Sequence, residues 1–133
     1  MRLVADANVL LPAVIGGRAS AVLRHPSITE VITAETTIGE VKEYAPQLAT
    51  KRRIPQDTVM LAVASLPVRV VERAAFEKRI PEAKRRMGKR DPDDVEVLAL
   101  ALHAGLPVWS NGNDFEDAGV EWFTTAALLA ELA

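Results

Sequence analysis

Short apolar runs alternate with helical stretches along the whole chain, and no two-residue hairpin turn joins any two of the runs. Antiparallel neighbours can be linked by such a turn, whereas parallel neighbours need a crossover of about a dozen residues or more, usually a helix. The runs "RLVADA" from residue 2, "EVITA" from 30, "VRVV" from 68, "PVWS" from 107 and "EWF" from 121 read as strands. Between them, "NVLLPAVIG" turns helical and "GG" at 16 and 17 is a stop signal. "SAVLRH" is a short helix closed by Pro26, residues 35 to 49 form a longer one, and "PQDTVMLAVASL" another. "AAFEKRIPEAKRRMG" is helical but broken near Pro81, since an interior proline loses a hydrogen bond and clashes with the preceding turn. "DPDDVEVLALAL" and "TAALLAEL" complete the set. This order predicts an α/β protein, a three-layer α/β/α sandwich around a central, mostly parallel sheet of four to five strands. Its 133 residues, 49% of them hydrophobic, suit one domain spanning residues 1–133.

Composition narrows the chemistry. There is no cysteine, which removes thiolate catalysis, disulfides and cysteine-ligated zinc together. His25 and His103 are the only imidazoles, too few and too far apart in sequence to suggest a zinc site. No apolar run approaches the ~20 residues that span a bilayer. Asp6 and Asn8 interrupt the apolar N-terminus where a signal peptide needs an unbroken core, so a cytoplasmic location away from membranes is expected. A net charge of −2 makes the whole molecule no magnet for nucleic acid, but "KRR" at 51–53 and "KRRMGKR" at 84–90 are locally basic. Such runs are either solvated helix faces or phosphate contacts. Arg85, Arg86, Lys89 and Arg90 lead directly into the acidic stretch that follows. The KRR run either does the same or meets an acidic partner. Trp109 and Trp122 fall at strand positions and are expected in the core.

Three aspartates within four residues open the most apolar helix, in "RDPDDVEVLALAL" at 90–102. Asp91 as N-cap, Pro92 at the first helical position and Asp93 in the first turn are explained by helix-end chemistry. Asp94 differs, because Leu98 and Ala101 follow it at four and seven residues and place it on a core-facing side. On the 35–49 helix, Ile38, Val41, Ala45 and Leu48 mark the buried stripe. Glu40 lies roughly 120° from its centre and Glu43 roughly 180°, so Glu40 flanks the core and Glu43 meets solvent. Asp6 after the first strand is a helix cap or a ligand, and Asp114 in "NGND" a turn residue or a ligand. In a parallel sheet, groups just beyond the strands' carboxyl ends meet at one edge. Four hard oxygen donors gathered there suit Mg²⁺ or Mn²⁺, which favour carboxylates and water.

These segments together resemble the PIN-domain ribonucleases over essentially the whole chain. "VADANVLLPAV" is similar to the family's first strand and acid, "TAETTIGEVKE" to the second-acid segment, "DPDDVEVLALAL" to the third-acid helix and "PVWSNGNDF" to the fourth-strand motif. The resemblance implies a metal-dependent endoribonuclease, commonly a homodimer, with Asp6, Glu40, Asp94 and Asp114 as catalytic metal ligands. Asn8 and Ser110 would support them. Many small members are toxins neutralised by an antitoxin encoded alongside. Gly112 stands where the family often has an aspartate, which leaves open one metal ion or two. It also leaves open an RNA-binding or assembly module with weakened catalysis. Two other acidic α/β classes fit less well. A phosphatase with an aspartate nucleophile wants a second aspartate where Asn8 stands, and a receiver module wants an acceptor aspartate where "VRVVERAAF" offers only Glu72.

Overall fold

A computed structural model describes residues 1–88 and 91–133. Strands β1 (Arg2–Ala5), β2 (Glu30–Ala34), β3 (Arg69–Val71), β4 (Val108–Trp109) and β5 (Trp122–Phe123) form one five-stranded sheet in the order β3-β2-β1-β4-β5. Every neighbouring pair is parallel. Leu3 stands opposite Val31, and Val4 and Ala5 opposite Val108 and Trp109. The expected fold class holds, and the sheet is wholly parallel. The chain builds outward from β1 to β3 and then crosses back to β4. The change of direction opens a crevice between the carboxyl ends of β1 and β4, the place where sheets of this kind bind ligands.

Alternation along each strand divides the core in two, because successive side chains leave a strand on opposite faces. Val4, Ile32, Ala34, Val71 and Val108 face the layer made by α5 (Arg73–Phe76), α6 (Ile80–Met87) and α7 (Pro92–Ala104). Leu3, Ala5, Val31 and Trp109 face α1 (Ala7–Ala13), α2 (Gly17–Arg24), α3 (Glu35–Arg52), α4 (Gln56–Ala64) and α8 (Thr125–Leu132). Helix α7 is buried on nearly all sides, with Val95 and Val97 through Ala101 inaccessible. It serves both as a layer of the core and as the carrier of the acids at its own N-terminus.

Local departures from the sequence reading have local causes. Helix α3 runs three residues past 49, ending with Lys51 and Arg52, cations that suit the negative end of the helix dipole. The glycine pair separates two helices, but Gly17 is already the first residue of α2. The break near Pro81 is real: a 3-10 turn at Glu77–Arg79 separates α5 from α6, and the proline enters α6 in its first turn. Both tryptophans join the packing, Trp109 fully buried and Trp122 against the α7 layer.

The indole Nε1 of Trp109 donates to Thr125 Oγ1 at 3.0 Å, tying β4 to the start of α8 inside the core. Thr125→Val keeps the shape and removes the acceptor, leaving a buried N–H unpaired. The variant should lose about 1–3 kcal/mol, read as a lower urea midpoint with an unchanged denaturant slope.

Candidate functional site

Asp6 follows β1 directly and lies at the crevice. Its Oδ1 accepts from the Ala7 backbone N–H at 2.7 Å, and its Oδ2 accepts from the Ser110 hydroxyl at 2.9 Å. The residue is only 6% exposed. The cap reading of Asp6 is met by Oδ1, while Oδ2 is held by Ser110. Ser110 follows β4 and is fully buried. Asn8 Nδ2 donates to Ser110 Oγ at 3.0 Å, while Asn8 Oδ1 accepts from the Asn111 backbone N–H at 3.0 Å. A hydroxyl has one proton to give. With that proton on Asp6, Ser110 accepts from Asn8, and the amide orientation of Asn8 satisfies both of its ends. Asn111 Oδ1 in turn accepts from the Thr125 N–H at 2.9 Å. One hydrogen-bonded chain thus runs from the Asp6 carboxylate across β4 to the start of α8.

The other acids gather around this support. Burial pushes the Asp6 carboxyl up, against the lowering effect of its Ser110 and Ala7 hydrogen bonds, and the charges of Asp114 and Asp93 push the same way as burial. Asp94 is pushed up to about 7, first by partial burial and then by Asp6, Asp114, Asp91 and Glu40. Glu40 is also pushed up to about 7, first by partial burial and then by Asp93, Asp6, Asp91 and Glu43. Among the described residues, the largest influences on these last two are desolvation and other acids. The four expected residues therefore occupy one electrostatic neighbourhood. Glu40 is half-buried and Glu43 exposed, as the helical wheel requires. The fully buried stripe is Thr37, Val41, Ala45 and Ala49, centred at the same angle as the stripe read from sequence.

Asp93 belongs to the same neighbourhood, although helix-end chemistry accounts for its place in the sequence. Asp91 is the N-cap, accepting from the Asp93 N–H at 2.8 Å. The carboxyl of Asp93 is half-buried, is pushed up by burial and then by Asp91 and Glu43, and is the strongest charge acting on Glu40. The signal was available: Val97 and Leu100 follow Asp93 at the same four and seven residues that singled out Asp94, and both are buried. Thr36 is a further unforeseen neighbour, one turn before Glu40 on the same face of α3, with a buried hydroxyl that has no hydrogen-bond partner among the described residues.

The donor set is carboxylates and hydroxyls, which fits a hard divalent cation, as does the crowding of negative charge. The placement is open. Among the described residues no three His, Cys, Asp or Glu side chains stand where they could hold one metal ion. Gly112 lies directly against the cluster, and a Cβ there would come within 3.1 Å of Asp114 Oδ2 and 3.7 Å of Asn8 Nδ2. Glu116 and Asp117 are exposed.

Of the basic residues, Arg85 is exposed on α6. Arg86 serves the fold: its Nη1 donates to the carbonyls of Ala118 and Gly119 at 3.0 and 3.3 Å, and its Nη2 to Glu82 at 3.4 Å. Lys89 and Arg90 lie outside the described residues.

Residues 4–133 match the family described as PIN domain, and the chain belongs to that family. Among solved structures it is similar to VapC20 of Mycobacterium tuberculosis, described as a sarcin-ricin loop cleaving toxin. The identity is 22%, the TM-score 0.63, and the match covers 89% of this chain and 95% of that one. It is also similar to VapBC2 from Rickettsia felis bound to a promoter DNA fragment, at 9% identity, TM-score 0.68, and 93% and 98% coverage. A third similar structure is FitAcB from Neisseria gonorrhoeae, at 19% identity, TM-score 0.57, and 95% and 99% coverage. At these identities the likeness is one of fold. No curated protein matches the chain by sequence.

Folding takes up protons at Glu40 and Asp94, because their folded values near 7 lie above the ordinary 4.5 and 3.8. The stability this permits is fully present below about pH 4 and is lost as pH rises through about 7. In EDTA, stability should therefore fall from pH 5 to pH 8. Asp94→Asn should be the more stable protein at pH 8, by on the order of 1 kcal/mol once solvent screening is allowed for, and the gap should narrow toward pH 5 and close only near pH 4, where the unfolded carboxyl is protonated too. Thermal unfolding across pH measures both.

Proposed function

We propose that the protein is a metal-dependent endoribonuclease that hydrolyses RNA phosphodiester bonds at the acidic crevice. The observation that carries this reading is the set of acids at the β1/β4 switch point, which raise one another's pKa values. Asp6, Glu40, Asp94 and Asp114 would hold Mg²⁺ or Mn²⁺, with Asp93 adding negative charge beside them. When bound, such an ion supplies the positive charge that lets these carboxylates stay ionised together and steadies charge on phosphoryl oxygens. Ser110 fixes Asp6 by hydrogen bond, and Asn8 fixes Ser110. Arg85, Lys89 and Arg90 would meet the phosphate backbone at the rim, while Arg86 already has carbonyl partners.

The description of one similar structure as a toxin supports a role as the toxin of a toxin–antitoxin pair, with an antitoxin protein as partner. We further propose that residues 1–133 act as one domain, in the cytoplasm, as a homodimer. The described residues contain no helix long and apolar enough to cross a membrane.

Gly112 favours a second reading. A carboxylate common in the family is missing beside Asp114, and a PIN fold so depleted could bind RNA or assemble with partners without turnover. Incubation with labelled RNA separates the two. The nuclease should cleave with Mn²⁺ or Mg²⁺ and stop in EDTA. Asp6→Asn and Asp94→Asn should each lower the rate by at least about 10²-fold while staying folded by circular dichroism. Wild-type rates in both variants would sink the nuclease reading. Metal-independent binding with no turnover at any metal concentration would establish the binding module.

A further inference from the structure

A groove of about 680 Å³ opens beside the acidic crevice, between the end of α1, the start of α2, the last turn of α3 and the start of α8. Among the described residues, Arg18 and Arg52 are the charged residues that line it; its polar lining is Asn111, Thr124 and Thr125. Among the described residues neither arginine enters a salt bridge. Both are exposed. In a chain of net charge −2, with ion pairs elsewhere on its surface, two arginines facing one groove without a carboxylate is a local reversal of sign. Arg52 suits its position in the last turn of α3, but Arg18 sits in the first turn of α2, where the helix dipole disfavours a cation. The fold gains nothing electrostatic from a positive charge there. No side chain caps α2 at Gly16, and its first turn carries no acid.

The groove is joined to the crevice. Asn111 lines it, and the hydrogen-bonded chain from Asp6 through Ser110 and Asn8 ends on Asn111 and Thr125. An extended polyanion whose reacting phosphate lies at the acids would continue past Asn111 into this groove. We propose that the groove seats the phosphodiester backbone of the RNA substrate on one side of the cleaved bond, with Arg18 and Arg52 each meeting a phosphate. The proposal rests on the nuclease reading above for its choice of ligand. It gives the KRR run at 51–53 a use in Arg52, and it moves the main phosphate track from α6 to the α2–α3–α8 side.

Fluorescence anisotropy with a labelled single-stranded RNA of about 12 nucleotides, in EDTA and over a range of salt, provides a test independent of turnover. Each phosphate contact on a single strand contributes about 0.7 to the slope of log affinity against log salt. Arg18→Gln with Arg52→Gln should therefore lower that slope by about 1.4 and weaken binding at every salt concentration. Lys84→Gln with Arg85→Gln on α6 should change it less. An unchanged slope in the groove variant overturns the proposal. So does polyglutamate that displaces the RNA at equal charge concentration and depends on the same two arginines, since the groove would then be built for an acidic protein. Cleavage with Mn²⁺ in the same preparations separates the two readings. A reduced slope in a protein that never cleaves keeps the groove and removes the nuclease, whereas cleavage with an unchanged slope keeps the nuclease and removes the groove.

Discussion

Carboxylates crowded at one edge of a parallel sheet dominate this molecule. Like charges near one another in a partly dry crevice resist ionising together, and burial adds to that resistance. Asp6, Glu40, Asp93 and Asp94 all respond by holding protons more tightly than free carboxyls do. The fold tolerates this because the strain is confined to the switch point, where the sheet changes direction and two strand ends leave a gap. Away from it, both faces of the sheet are sealed by aliphatic packing, and that packing holds the acids in place. Ser110 is where the two systems join: it is buried with the core, yet it gives its proton to Asp6.

Much of this was legible from sequence. Helix and strand order, the break before Pro81 and the five strand positions follow from periodicity and from proline and glycine, which act locally. The sequence singled out Asp6 by its place just past β1 and Glu40 and Asp94 by helical spacing, which is again local. Asp93 escaped because helical periodicity discriminates only when a helix has a wet side. Helix α7 is buried nearly all round, so residues four and seven positions on are apolar from almost any starting point. The fate of Arg86 escaped for a different reason. Its partners are backbone carbonyls some thirty residues away, and a carbonyl leaves no trace in a sequence. The groove at Arg18 and Arg52 also depends on tertiary proximity, because it joins the start of one helix to the end of another.

Asn8 shows how a neutral residue can organise a charged site. An aspartate there would place a further negative charge against Ser110 and the Asn111 N–H, and could not donate to the serine. As an amide it gives one hydrogen bond and takes another, so the serine proton remains directed at Asp6. Gly112 acts by having no side chain at all. Its lack of a Cβ leaves room for the Asp114 carboxyl group, and any larger residue would have to displace it.

The Arg86 clamp has a consequence for motion. Its guanidinium grips the carbonyls of Ala118 and Gly119, and Gly119 has φ of +76° with the arginine 2.8 Å from where a Cβ would sit. Phe115 and Ala118 are the buried anchors of the segment that carries Asp114. Between the two-residue strands β4 and β5, this segment has little ladder to hold it. Its hold on the rest therefore depends on the Arg86 clamp and on those two buried side chains more than on strand pairing, and its amides should exchange with solvent before those of β1 and α7.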